Sequence, residues 1–173
     1  FLPLLQAADA AHIINTSSVN GFWASLGPYT EHTAYSAAKF AVKGFSEALV
    51  VDLRHNAPHI GVSVVMPGHI GTSIALNTSR TWAGEPETMA AEDVARVRER
   101  WQRADPNVGA LSDDEVRALV RAGTEAFRDD APTTASEAAS IILAGVLDGR
   151  WRILVGDDAV ALDQAVRAAP ERA

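Results

Sequence analysis

Cysteine is absent from all 173 residues. No disulfide framework and no cysteine-ligated zinc site can form, and a chain built this way fits a reducing cytoplasm. Long apolar runs are missing too. None comes near the roughly 18–20 residues that a bilayer demands, so no membrane span is expected. Positive charge is in deficit, with Lys+Arg 15 against Asp+Glu 22 and a net charge of -7. The arginines of the second half are interleaved with Asp and Glu and make no basic stripe, which argues against nonspecific binding to nucleic acid or an anionic membrane. Internal repeats and low-complexity tracts do not occur. Phe1–Leu5 lacks a basic flank and a small-residue cleavage site, so it does not read as a signal peptide. It reads as the last turn or two of a helix, and the chain as the C-terminal part of a longer protein. What is present is ordinary: 47% hydrophobic and 21% charged residues, in a length sufficient for one domain with a real core.

The patterning predicts alternating strands and helices. His12–Ser18 reads as a strand with Ile13 and Ile14 inside and hydroxyls at its C-terminal end, followed by the turn signal Asn20-Gly21. Phe22–Glu31, broken by Gly27-Pro28, reads as a loop. His32-Thr33 offers a hydroxyl cap for a helix that runs to about Arg54 and is stopped by His55-Asn56-Ala57-Pro58. Its Ser36, Ala37, Ala38, Ala41 and Gly44 permit close approach of another backbone, while Phe40, Phe45, Leu49 and Leu53 supply larger apolar contacts. Ile60–Met66 is a second apolar strand. Strand, long helix and strand make a βαβ unit, hence parallel neighbours. Beyond it, residues 73–131 read as a helical insertion, with amphipathic helices over Ala91–Arg103 and Ser112–Phe127, the second opened by the capping box Ser112-Asp113-Asp114-Glu115. Trp82 and Trp101 are expected to anchor these helices. A helix over Ser136–Leu147, a strand over Trp151–Val155 and a helix over Ala159–Ala168 complete the chain.

Chemistry concentrates in Thr33-Ala34-Tyr35-Ser36-Ala37-Ala38-Lys39. Tyr35 and Lys39 are four apart, which on a helix sets both side chains on one face, one turn from each other. A cation held beside a phenol favours its deprotonated form, so the pair is an acid–base unit. In open parallel sheets ligands bind beyond the carboxyl ends of the strands. Ser18 and Pro67-Gly68 lie at two such ends, and the crossover helix carrying Tyr35 and Lys39 starts at the same edge. The βαβ topology therefore brings three separated stretches to one rim.

At these three blocks, Ser17-Ser18-Val19-Asn20-Gly21, Tyr35-x-x-x-Lys39 and Pro67-Gly68-His69-Ile70-Gly71-Thr72, the chain resembles the short-chain dehydrogenase/reductase family, over about Leu2 to Thr72. The resemblance implies an α/β fold: a Rossmann-type, doubly wound parallel sheet, incomplete here, with residues 1–173 as the C-terminal part of a single domain and 73–131 on its substrate side. It implies hydride transfer between NAD or NADP and a carbonyl or secondary alcohol. In that role Tyr35 is the acid or base, Ser18 orients the carbonyl or hydroxyl, and Lys39 assists Tyr35 and binds the nicotinamide ribose. Pro67, Gly68, Ile70 and Thr72 would lie along the nicotinamide. Homodimers or homotetramers formed through the long helix are implied as well.

Two features depart from the pattern. Ser18 and Tyr35 are more widely spaced than usual, placing extra residues of Trp23–Glu31 in a loop beside the substrate, among them Tyr29, which has Thr33 rather than Lys four residues on. The Gly-rich turn that holds a pyrophosphate at a helix N-terminus does not occur, nor does the residue that separates NAD from NADP, nor the active-site Asn expected before Phe1. These 173 residues alone are therefore expected to bind cofactor and turn over poorly. The alternatives are a sugar-nucleotide epimerase or dehydratase with a similar Tyr-x-x-x-Lys, and a silent fragment that only self-associates. Ser36-x-x-Lys39 also matches an acyl-enzyme nucleophile motif but lacks the partner motifs, so Ser36 reads as a small packing residue. His55 and His59 are separated by the helix-breaking Pro58 and read as a solvated turn, His69 as a loop residue, and the paired aspartates as caps and turns.

Overall fold

The computed structural model describes residues 1–24 and 32–171. Tyr29 and most of the loop Trp23–Glu31 lie outside the described residues. The chain divides into two compact units, residues 1–70 with 132–173, and residues 71–131.

The first unit is built on the apolar strands. A short helix α1 (Leu2–Ala7) precedes β1 (Ala11–Thr16), and the long helix α2 (Thr33–Asn56) leads into β2 (Ile60–Pro67). After the two-residue β3 (Ile70–Gly71) and the excursion into the second unit, the chain returns with β4 (Thr133–Thr134), α6 (Ala135–Leu147), β5 (Arg152–Val155) and α7 (Asp157–Ala168). The main sheet has the order β1-β2-β5 and is parallel throughout. Ala11 pairs with Ile60 and Thr16 with Val65; Val64 pairs with Arg152 and Pro67 with Val155. The central strand β2 is buried almost end to end because helices cover both of its faces. Side chains alternate across a strand. Ile60 and Val62 join Leu53 and Ala57 of the α2 side, with Leu49, Ile13 and Leu5 packed against them. Val65 turns the other way, to Ala138, Ile153 and Val155, with Ile141, Ile142 and Val146 of α6 alongside. This two-sided arrangement is the partial, doubly wound parallel sheet that the family resemblance implies.

Boundaries shift in informative ways. The first strand stops at Thr16, so Ser17 and Ser18 lie past its end. Helix α2 begins at Thr33 with His32 at the cap, and no side chain caps it. Thr33 is already inside the first turn, and the His32 carbonyl takes the Ser36 N–H at 2.7 Å. The helix runs to Asn56, where Pro58 keeps Ala57 out of the helical region (φ -156). Phe40 and Phe45 do not pack inward; both are exposed, along with Ala41 and Gly44. Helix α6 opens with a capping box of Thr134 and Glu137. Burial in this unit also takes polar groups: Ser63 of β2, fully buried, donates to the Arg150 carbonyl at 2.6 Å and contacts His12 Nε2 at 2.8 Å.

The second unit is helical: α3 (Ile74–Ala83), α4 (Ala91–Gln102) and α5 (Asp113–Asp129). Its core gathers Met89, Val94, Val116 and Val120, with Trp101 against them. Ser112 and Glu115 form the predicted capping box at the start of α5. The hydroxyl and backbone of Ser112 hold the Glu115 carboxyl below the ordinary value. Trp101 anchors as expected, but Trp82 does not: it is 82% exposed at the end of α3. Among the described residues no helix is long and apolar enough to cross a membrane.

Candidate active site

The rim at the C-terminal end of β1 is assembled from backbone continuity and a small set of polar side chains. The parallel ladder extends one step past the strand, with Ser17 N–H donating to the Val65 carbonyl at 2.8 Å. The Ser17 hydroxyl then donates to the Lys39 carbonyl of α2 at 2.8 Å. Ser18, extended and only 7% exposed, caps a single 3-10 turn, Val19–Gly21, its Oγ accepting the Asn20 N–H at 3.2 Å. A serine hydroxyl carries one proton as well as two lone pairs. Among the described residues no acceptor takes that of Ser18.

Asn20 is buried, and its amide donates to Ser36 Oγ and to the Ala24 carbonyl, each at 3.3 Å; Ser36 Oγ donates to the same carbonyl at 3.2 Å. The turn after the strand is therefore fastened to α2 at Ser36 and at Lys39, within the turn that presents the tyrosine–lysine pair. Gly21 is needed because of this closeness. A Cβ there would stand 2.9 Å from the Lys39 carbonyl oxygen and still closer to Ser17 Oγ.

Tyr35 and Lys39 share one face of α2. Tyr35 is 41% exposed; the Lys39 ammonium lies 5.5 Å from its ring centroid, and the His32 ring centroid is 5.5 Å away, tilted by 59°. Lys39 Nζ donates to the Thr16 carbonyl at 3.1 Å. One of its three N–H groups is thus committed to the strand end, which fixes the side chain across the rim.

The second rim segment follows β2. Pro67 ends the strand opposite Val155, and Gly68 N–H donates to the Val155 carbonyl at 2.9 Å. Asp158 of α7 accepts the His69 N–H at 2.6 Å. The Ile70 side chain packs on the Val65–Ile153 cluster, so what this residue offers outward is backbone. Thr72 belongs to the second unit, where it lines an open cleft of about 480 Å³ with Ser73, Ile74, Asn77, Thr78, Thr81 and Trp82.

Of the sequence candidates, Ser18, Tyr35 and Lys39 stand on elements that hydrogen bonds tie directly together, and Pro67, Gly68 and Ile70 on the neighbouring strand end. Ser17, Asn20 and Asp158 carry contacts that the sequence reading did not assign. For Ser17 and Asn20 the available signal was a polar residue in a block otherwise headed for burial. For Asp158 there was none, since its partners lie some ninety positions away in the chain.

Residues 1–82 match the family model described as short chain dehydrogenase. The chain is similar to a putative oxidoreductase, SadH, of Mycobacterium tuberculosis, with 31% identity over 167 residues, 96% of this chain and 47% of that protein. It is similar to a 3-ketodihydrosphingosine reductase of Bacteroides thetaiotaomicron, 41% identical over 76 residues, 44% of this chain and 26% of that one. Among solved structures it resembles a short chain dehydrogenase/reductase from Burkholderia phymatum in complex with NAD, with 27% identity and a TM-score of 0.54, covering 92% of this chain and 45% of that chain. The chain spans about half the length of the mycobacterial relative and of this solved structure.

Proposed function

We propose that this chain, which the short chain dehydrogenase model matches over residues 1–82, belongs to the short-chain dehydrogenase/reductase family and carries the proton-transfer site of an NAD(P)-dependent oxidoreductase acting on a carbonyl or secondary alcohol. The observation that carries the reading is the direct fastening of the strand-end serines to the helix turn bearing Tyr35 and Lys39, through Ser17 Oγ to the Lys39 carbonyl and Asn20 to Ser36.

The chemistry follows from what each group can do. A bound nicotinamide dinucleotide supplies the hydride in reduction and accepts it in oxidation. As the carbonyl oxygen gains negative charge, it needs a proton and a second hydrogen-bond donor. Tyr35, exposed and beside an ammonium, gives the proton from its phenol oxygen and takes it back in the reverse direction. Ser18, whose oxygen is already occupied as an acceptor by the Asn20 N–H, has its own proton to offer to the same substrate oxygen. The donor set also fits a ribose. Lys39 is steadied by the Thr16 carbonyl and keeps two N–H groups for vicinal hydroxyls. With Tyr35 and Lys39, the backbone at Pro67, Gly68 and Ile70 and the side chain of Thr72 would hold the nicotinamide end. NAD and NADP are equally served by these residues. The helical unit 71–131 is the proposed selector of substrate. The exposed α2 face of Phe40, Ala41, Gly44 and Phe45 is the surface a second copy would cover.

Titration with NADH and NADPH, followed by the fluorescence of the four Trp residues, tests the cofactor assignment. Tyr35→Phe should leave that binding intact and lower turnover by about 10²–10⁴-fold. Wild-type turnover in Tyr35→Phe would overturn the reading.

A further inference from the structure

Gly68 is framed by a side chain rather than by open space. A Cβ built on it would run into the carboxylate of Asp158, well inside van der Waals contact with both oxygens and the carbon between them. Gly156 meets the same carboxylate. It has φ +100, a conformation that L side chains rarely adopt, and a Cβ there would come within 2.5 Å of Asp158 Oδ1. The other oxygen, Oδ2, accepts the His69 N–H at 2.6 Å. Two glycines from different strand ends thus make room for one carboxylate, and a backbone amide fixes it. Asp158 stands in the first turn of α7, where the helix dipole favours negative charge.

We propose that Asp158 is the positioning residue of the Pro67–Ile70 loop: its carboxylate sets the backbone of Gly68 and His69, and through it the loop's affinity for the nicotinamide end of the cofactor. This rests on the oxidoreductase reading above. The carboxylate acts through the loop backbone. It pre-orders a segment that a ligand would otherwise have to order on binding, a cost that falls on affinity. The glycine at position 68 is demanded by Asp158. Adding a methyl group there must expel the carboxylate, so Gly68→Ala and Asp158→Ala remove the same interaction.

The test combines hydrogen exchange at His69 with NADH titration, each on wild type, Asp158→Ala, Asp158→Asn, Gly68→Ala and the double Gly68→Ala/Asp158→Ala variant. Losing a charge-assisted bond should speed His69 exchange by about ten- to a hundredfold. Cofactor Kd should weaken by about three- to tenfold. Asp158→Asn keeps an acceptor oxygen of the same shape without the charge and should fall between wild type and Asp158→Ala. The double variant should be no worse than either single one, because sites acting through one contact are non-additive. Asp157→Ala removes an equal charge from the same helix end and should change neither readout. Unchanged His69 exchange in Asp158→Ala, additive losses in the double variant, or faster exchange with unaltered Kd would each overturn the proposal. If the wild-type protein binds neither dinucleotide, the cofactor half of the proposal fails; His69 exchange then decides separately whether Asp158 holds the loop.

Discussion

Gly21→Ala places one methyl group where the rim has no room. The new Cβ would sit 2.9 Å from the Lys39 carbonyl oxygen, and nearer to Ser17 Oγ. The hydroxyl can rotate away; a carbonyl inside α2 cannot. An ordinary C···O approach is about 3.3–3.6 Å, so the 3-10 turn must retreat by roughly 0.4–0.7 Å. Rotating Ser17 forfeits its bond to Lys39, about 1 kcal/mol, and the enforced shift costs about 1–3 kcal/mol as overpacking. Together that is about 2–4 kcal/mol. Gly44→Ala is the matched control. Nothing lies within 4 Å of its Cβ, and it sits inside α2, so the same chemical change should stabilise by about 0.5–1 kcal/mol through helix propensity. Urea unfolding followed by circular dichroism reads both. At an m-value of about 2 kcal/mol/M, the Gly21→Ala midpoint falls by about 1–2 M and that of Gly44→Ala rises by about 0.3–0.5 M. A Gly21→Ala protein at or above the wild-type midpoint, or two shifts of the same sign, would refute the packing account of the rim.

Ser17→Ala should cost about 1 kcal/mol in the same assay. It should also lower kcat with little change in cofactor Kd, because it loosens α2 at Lys39 without touching a ligand; equal loss in both would argue against this. Asp163 offers a pH test. The Arg152 guanidinium, and then Arg167, hold its carboxyl below the ordinary aspartate range. The unfolded chain therefore takes up that proton more readily, and the pair's stabilisation is present above the unfolded value of about 3.9 and lost as pH falls through the lower native value. The urea midpoint of Asp163→Asn should lie below wild type at pH 7, and the gap should close as pH is brought well under 4. A gap that stays constant with pH would show that the ion pair is not its source.

The βαβ frame was legible because it follows from periodicity and stop signals alone. Apolar Ile60–Met66, the long helix and Pro58 leave little choice of element. The rim was legible in part, since Tyr35 and Lys39 share a helix face by spacing and strand order brings Ser18 and Gly68 to the same edge. What escaped reading depends on distance through the chain. The Ser17 hydroxyl spans 22 positions to the Lys39 carbonyl. Asp158 read as a helix cap. Trp82 is expected to anchor the inserted helices, but aromatic bulk says nothing about which way a terminal helix turn faces, and it stands exposed.

The adjacency of β2 and β5 carries a consequence for synthesis. Val64 and Arg152 are neighbours in the sheet but about ninety positions apart in the chain, and closing such a loop costs about 4 kcal/mol of entropy, plus a constant. Until the ribosome has made residues 152–158, the nascent chain carries Tyr35 and Lys39 but has neither the strand that pairs with Pro67 nor the carboxylate that seats Gly68. A ligand that needs the Pro67–Ile70 edge is thereby denied a premature grip, and a polypeptide released before residue 150 would show the acid–base pair without the edge that gives it a use.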